Sequence, residues 1–121
     1  MKKAPVSFTS ATANPDVPGV HDVTAEELSK RTGEVHLVDV RRPDEYVGEL
    51  GHIAGSQHLL LDHLPDRIGE LPKDEPIVFV CRSGARSGRA TAFAIENGFK
   101  HVYNLKGGML RWNELGLTTE R

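Results

Sequence analysis

A single cysteine, Cys81, is all the thiol chemistry available to the chain. One thiol excludes an internal disulfide, a C-x-x-C redox pair and a multi-cysteine zinc site. It suits a reducing compartment. Long apolar runs are missing as well, and no stretch approaches the roughly 20 residues of a membrane span. Neither sign of charge dominates: 15 Lys plus Arg stand against 17 Asp plus Glu, a formal net charge of −2. Nothing global therefore gathers nucleic acid or an anionic membrane, and any anion has to be held locally. The opening "MKKAPVSFTSATANPDVPGV" has two lysines but no apolar core, because Pro5, Ser7, Thr9, Ser10 and Thr12 interrupt it. That reads as a cytoplasmic protein, with a processed precursor as the alternative. Six histidines are present, yet there is no H-E-x-x-H, and His58 and His63 are five apart, the wrong spacing for one helix face. No metal and no cofactor are expected.

What remains is an ordinary globular composition, 38% hydrophobic and 26% charged, at the length of one domain. Residues 1–19 are rich in Pro, Ser, Thr and Ala and read as a loosely ordered arm, with the domain proper over 20–121. From residue 20 strand and helix signals alternate. Residues 20–23 suggest a short strand, and "TAEEL" offers Thr24 as an N-cap with Glu27 three residues on, the pattern of a capping box. "VHLVDV" at 35–40 reads as a strand, followed by Pro43 at a first helical position with acids behind it. A short strand is expected at 57–59 and a helix over 61–71 with Pro65 near its start. Residues 77–80 are continuously apolar, as in a strand covered on both faces. A helix over 87–97, a strand at 102–105 and a short helix anchored by Met109, Leu110 and Trp112 complete the pattern. Five short strands alternating with helices predict an α/β domain with a mostly parallel sheet. Ligands in such sheets bind beyond the carboxyl ends of strands.

Cys81 stands at that place, after the most apolar strand, in "VFVCRSGARSGRA". The chain must turn from strand to helix within a few residues, and Gly84 permits the tight backbone this needs. If the loop curls, its N–H groups make a nest for an anion, and the start of the next helix adds partial positive charge. Arg82 and Arg86 flank the same turn. Each of these groups favours a thiolate over a thiol, and each would also draw in an anionic substrate. Four residues separate Cys81 from Arg86. The C-x5-R loop of cysteine-dependent phosphatases is one residue longer, sized for a phosphoryl group. The shorter cradle suits a single sulfur atom carried on the cysteine as a persulfide.

Three ordered motifs carry a family resemblance over about residues 20–117. "LVDVRRPDEYVGELGHIAGSQHL", "VFVCRSGARSGRATAFAIENGF" and "VYNLKGGMLRW" resemble the signatures of single-domain rhodaneses. The resemblance implies a five-stranded, mostly parallel sheet with helices on both faces. It implies a thiosulfate sulfurtransferase, moving a sulfane sulfur from thiosulfate or a related donor to cyanide or a thiol. Cys81 becomes the nucleophile; Arg82, Ser83, Gly84, Ala85 and Arg86 become the substrate-binding loop. A persulfide carrier that docks a sulfur-accepting protein is the alternative, and a cysteine phosphatase or arsenate reductase of the same fold a more distant one.

The remaining polar residues have plainer readings. Asp39, Arg41, Asp44 and Glu45 follow a strand end and read as supports behind the cysteine loop, with Asp39 and Arg41 foremost. His52, inside "GHIAGS", reads as a hydrogen-bonding tie for its loop. Lys2 and Lys3 read as solvated charges, and the sequence leaves open where Lys106 lies relative to the cysteine.

Overall fold

The structure is a computed structural model that describes residues 2–121. Its sheet has six strands in the order β1-β2-β6-β5-β3-β4. They are β1 Thr12–Ala13, β2 His21–Val23, β3 His36–Asp39, β4 Gln57–His58, β5 Ile77–Val80 and β6 Val102–Leu105. All pairings are parallel except β1 with β2. The helices are α1 Ala25–Ser29, α2 Pro43–Tyr46, α3 Leu64–Arg67, α4 Ala85–Glu96 and α5 Gly108–Glu114. The helix expected over 61–71 is divided: short 3-10 turns flank α3, whose first turn takes Pro65.

Side chains alternate across β5, and the alternation builds two cores. Val78 and Val80 join Val23, Leu28, Leu105, Met109 and Trp112 beneath α1 and α5. Ile77 and Phe79 join Val38, Leu64, Ala90 and Ala94 beneath α3 and α4. Helices therefore cover both faces, which is why the apolar run of β5 is unbroken. The small residues Ala90 and Ala94 let α4 lie close over the sheet.

The sixth strand comes from the segment read as a loose arm. β1 pairs with β2 through Thr12 opposite Asp22 and Ala13 opposite His21. Phe8 is buried, edge-on to Tyr103 at 5.0 Å and under the Arg31 guanidinium at 5.0 Å. Glu27 clamps the same segment. Thr24 does cap α1, accepting the Glu27 N–H at 3.2 Å. The Glu27 carboxylate does not return the bond. It accepts instead from the N–H groups of Thr9 and Ser10 at 3.0 and 2.8 Å and from both hydroxyls. Ser10 Oγ then takes the Thr24 N–H at 3.1 Å. The expected box is thus completed by a residue 14 positions away.

Burial pushes the Glu27 carboxyl up, but the bonds from Ser10 and Thr9 outweigh it and hold the group at about 2. A carboxyl lowered in this way stabilises the fold fully above its ordinary value of 4.5, and the stabilisation is lost as pH falls toward about 2. Glu27→Gln should lower stability at neutral pH by about 2 kcal/mol, the scale of hydrogen bonds to a charged acceptor. Urea unfolding measures the loss. Between pH 4.5 and 2 the variant should lose less further stability than the wild type.

Candidate active site

The alternation of β5 decides where the sulfur goes. Cys81 continues the Ile77 and Phe79 face, so it lands under the start of α4 and is fully buried. Three residues then reverse the chain into the helix. Gly84 ends the turn at φ +103°, a conformation other residues rarely adopt. The turn brings the Gly84 N–H to 3.0 Å from Cys81 Sγ and Ser87 Oγ to 3.2 Å. The sulfur therefore has hydrocarbon on its sheet side and hydrogen-bonding groups on its loop side.

The outside of the loop is pinned by α5. The carbonyls of Cys81 and Arg82 accept from the N–H groups of Met109 and Leu110 at 2.9 and 3.0 Å. Such close approach requires Gly108. A β-carbon there would lie 2.5 Å from the Cys81 carbonyl oxygen and 2.6 Å from that of Arg82. With these carbonyls engaged, the N–H groups of Arg82, Ser83, Ala85 and Arg86 have no acceptor among the described residues. The last two open α4, whose first-turn N–H groups have no helical partner.

Arg86 has a partner in α2. Its guanidinium forms a two-pronged pair with Glu45 at 2.7 and 2.8 Å. That fork holds the Glu45 carboxyl at about 2 against the opposing effect of burial, and the Arg42 N–H contributes. The pair fastens the start of α4 to α2. Asp39 and Arg41 form a pair 1% exposed on each side, with Arg41 Nη2 2.8 Å from Asp39 Oδ2 and 2.7 Å from the Gly51 carbonyl. The Asp39 carboxylate also accepts the Arg41 N–H. Removing one partner of so buried a pair costs about 3–5 kcal/mol, so this is a rigid support. His58 Nε2 donates to the Arg41 carbonyl, and His52 Nδ1 donates to the Tyr46 carbonyl at 2.7 Å. Tyr46 stacks on the rings of both, and among the described residues no histidine joins a cluster able to hold a metal ion.

Residues 24–115 match the model of the rhodanese-like domain. The chain belongs to the rhodanese family. A sulfurtransferase of Allochromatium vinosum is 41% identical over 101 residues, which are 81% of this chain and 92% of that protein. The thiosulfate sulfurtransferase GlpE of Pseudomonas paraeruginosa is 39% identical over 85 residues, 70% of this chain and 76% of that protein. Among solved structures, a rhodanese-related protein of Thermoplasma volcanium superposes with a TM-score of 0.75 at 27% identity, covering 80% of this chain and 94% of that one.

Around the rhodanese loop the cations that remain unpaired are Arg82, Arg89 and Lys106, all exposed and without an ion pair among the described residues. Two grooves meet at Ser83. One, of about 510 Å³, runs between α1 and α5; the other, of about 440 Å³, is walled by the arm at Asn14 to Val17. Lys106 lines both, which places it at the mouth of the loop. Arg82 lines a smaller cavity with Arg41 and Glu45.

Two buried polar residues near the cysteine escaped the sequence reading. Asn104 in β6 and Asp22 in β2 are 1% and 4% exposed. A signal existed for Asn104, a polar residue inside the otherwise apolar run of β6, which stays buried only when its hydrogen bonds are met; β2, His-Asp-Val, gave none for Asp22.

Proposed function

We propose that the protein is a sulfurtransferase that carries a sulfane sulfur on Cys81, with thiosulfate or a related anion as donor. The observation that carries this reading is the Gly84 N–H placed 3.0 Å from Cys81 Sγ, in a loop whose further N–H donors are unengaged. Arg82, Ser83, Gly84, Ala85 and Arg86 form the cradle. Arg82, Arg89 and Lys106 supply the attraction for an anion, and the Arg86–Glu45 fork holds the frame still.

The reaction has two steps. The Cys81 thiolate attacks the outer sulfur of thiosulfate, a new S–S bond forms, and the old one breaks with its electron pair leaving on sulfite. One negative charge stays on the terminal sulfur of the persulfide. Cyanide or a thiolate then attacks that terminal sulfur, and the Cys81 thiolate departs with the pair from the cysteine side. No proton has to be moved by a base, because fixed dipoles stabilise the anion at both stages. Burial of Sγ steers the acceptor: the added sulfur projects toward the mouth, while the inner sulfur stays covered. The engagement of Arg86 with Glu45 and the four-residue spacing disfavour a phosphoryl ligand in the same loop.

The test compares donors. Sulfite release from thiosulfate with cyanide as acceptor should proceed with Cys81-dependent turnover. Slow release combined with rapid loading from another protein's persulfide would make the protein a carrier. Failure of both would overturn the reading.

A further inference from the structure

A chain of hydrogen bonds, half-buried at the arm and buried from Asp22 to the sulfur, fixes how Asn14 and Asn104 are turned. Asn14 Oδ1 accepts the N–H groups of Asp16 and Val17 at 2.8 and 2.9 Å, so its amide nitrogen must face the other way. That nitrogen donates to Asp22 Oδ1 at 2.9 Å. Asn104 Nδ2 donates to the same oxygen at 2.9 Å. An ionised carboxylate only accepts, so the Asn104 amide cannot be turned over, and its oxygen must face Ser87. The Ser87 hydroxyl lies in a short contact with that oxygen. It also lies 3.2 Å from Cys81 Sγ. A hydroxyl has one hydrogen to give, and here two acceptors compete for it.

We propose that Asn104, oriented by Asp22 and Asn14, is a positioning residue that withholds the Ser87 hydroxyl hydrogen from Cys81. While Sγ carries a proton, Ser87 gives its hydrogen to Asn104 and turns a lone pair to the sulfur. A thiolate has no hydrogen on Sγ and carries its charge there, so it draws the single Ser87 hydrogen away from Asn104. The sulfur's charge state and the Ser87–Asn104 bond therefore exclude one another. The distal members of the chain, Asn14 and Asp22, precede the region matched by the family model at residue 24. The arm thus reaches the cysteine through three side chains. This proposal rests on the reading of Cys81 as the nucleophile.

The test is an ultraviolet titration of the thiolate in the full chain, with Cys81→Ser protein as the blank. Asn104→Leu keeps the volume and removes the competing acceptor. Its titration midpoint should move to lower pH by about one unit, tenfold in the ionisation constant, the scale of one hydrogen bond gained by an anion. In a Ser87→Ala background the same substitution should leave the midpoint in place. Arg82, the Arg86–Glu45 fork and the Arg41–Asp39 pair are common to all these proteins, and Asp22 loses its Asn104 donor equally with and without Ser87, so these fields cancel in the comparison of the two backgrounds. Should Asn104→Leu fail to fold, Asn104→Ala makes the same comparison. An unmoved midpoint, or an equal shift with and without Ser87, overturns the proposal, because a merely structural Asn104 would not act through that hydroxyl. The titration uses no sulfur donor, so its outcome stands apart from whether thiosulfate loads the protein.

Discussion

Cys81→Ser protein should release sulfite from thiosulfate no faster than buffer alone. The substitution changes one atom at a fully buried position, so the fold has little to lose. The Gly84 N–H, 3.0 Å from the sulfur, can still meet a hydroxyl oxygen. What disappears is ionisation: a serine hydroxyl stays protonated where a cysteine thiol gives a thiolate, and among the described residues no carboxylate or imidazole bonds to that position to act as its base. An alkoxide would also have to carry sulfur through an unstable O–S bond. The expected loss is therefore the whole catalysed rate, without a matching fall in urea midpoint. Full activity in the variant would remove Cys81 from the chemistry.

The next largest loss should come from a residue that never meets substrate. Gly108→Ala places a carbon 2.5 to 2.6 Å from the carbonyls of Cys81 and Arg82, where no ordinary contact exists. One side has to yield. If the loop yields, Gly84 and the sulfur part, and the N–H donors lose their common focus. A misplacement of about 1 Å in a reacting group costs about 100-fold, so sulfite release should fall by that order. Gly108 is also at φ +55°, so alanine adds backbone strain of its own. Gly116→Ala is the matching control: it lies at φ +70° with nothing within 4 Å of its would-be β-carbon. Both variants should lose stability, and only Gly108→Ala should lose the rate. Equal rates in the two would mean that the α5 contact does not shape the loop.

The elements legible in the sequence were those whose cause is local. β5 and β6 fall at the residues expected, β5 because its four residues are all apolar and β6 because a short strand pattern follows the helix stop at Gly98. The position of Cys81 followed from the same run. The arm was not legible: β1 is two residues long, too short to show a period, and its docking depends on Glu27 and on Tyr103, far along the chain. Arg86 shows the same limit. Its charge could be read, but its partner Glu45 is 41 residues earlier, and the brace the two form between α2 and α4 could not. Asn104 was visible as a misfit in an apolar strand, and Asp22, in His-Asp-Val, was not. Their meaning needed the sheet order that sets β2 beside β6.

The central claim is that sulfur travels on Cys81, and intact mass reports it directly. Full-length protein treated with thiosulfate and freed of excess reagent should gain the mass of one sulfur atom. Cyanide should remove it, and Cys81→Ser protein should never acquire it. An unchanged mass, or the same gain without the cysteine, would contradict the account.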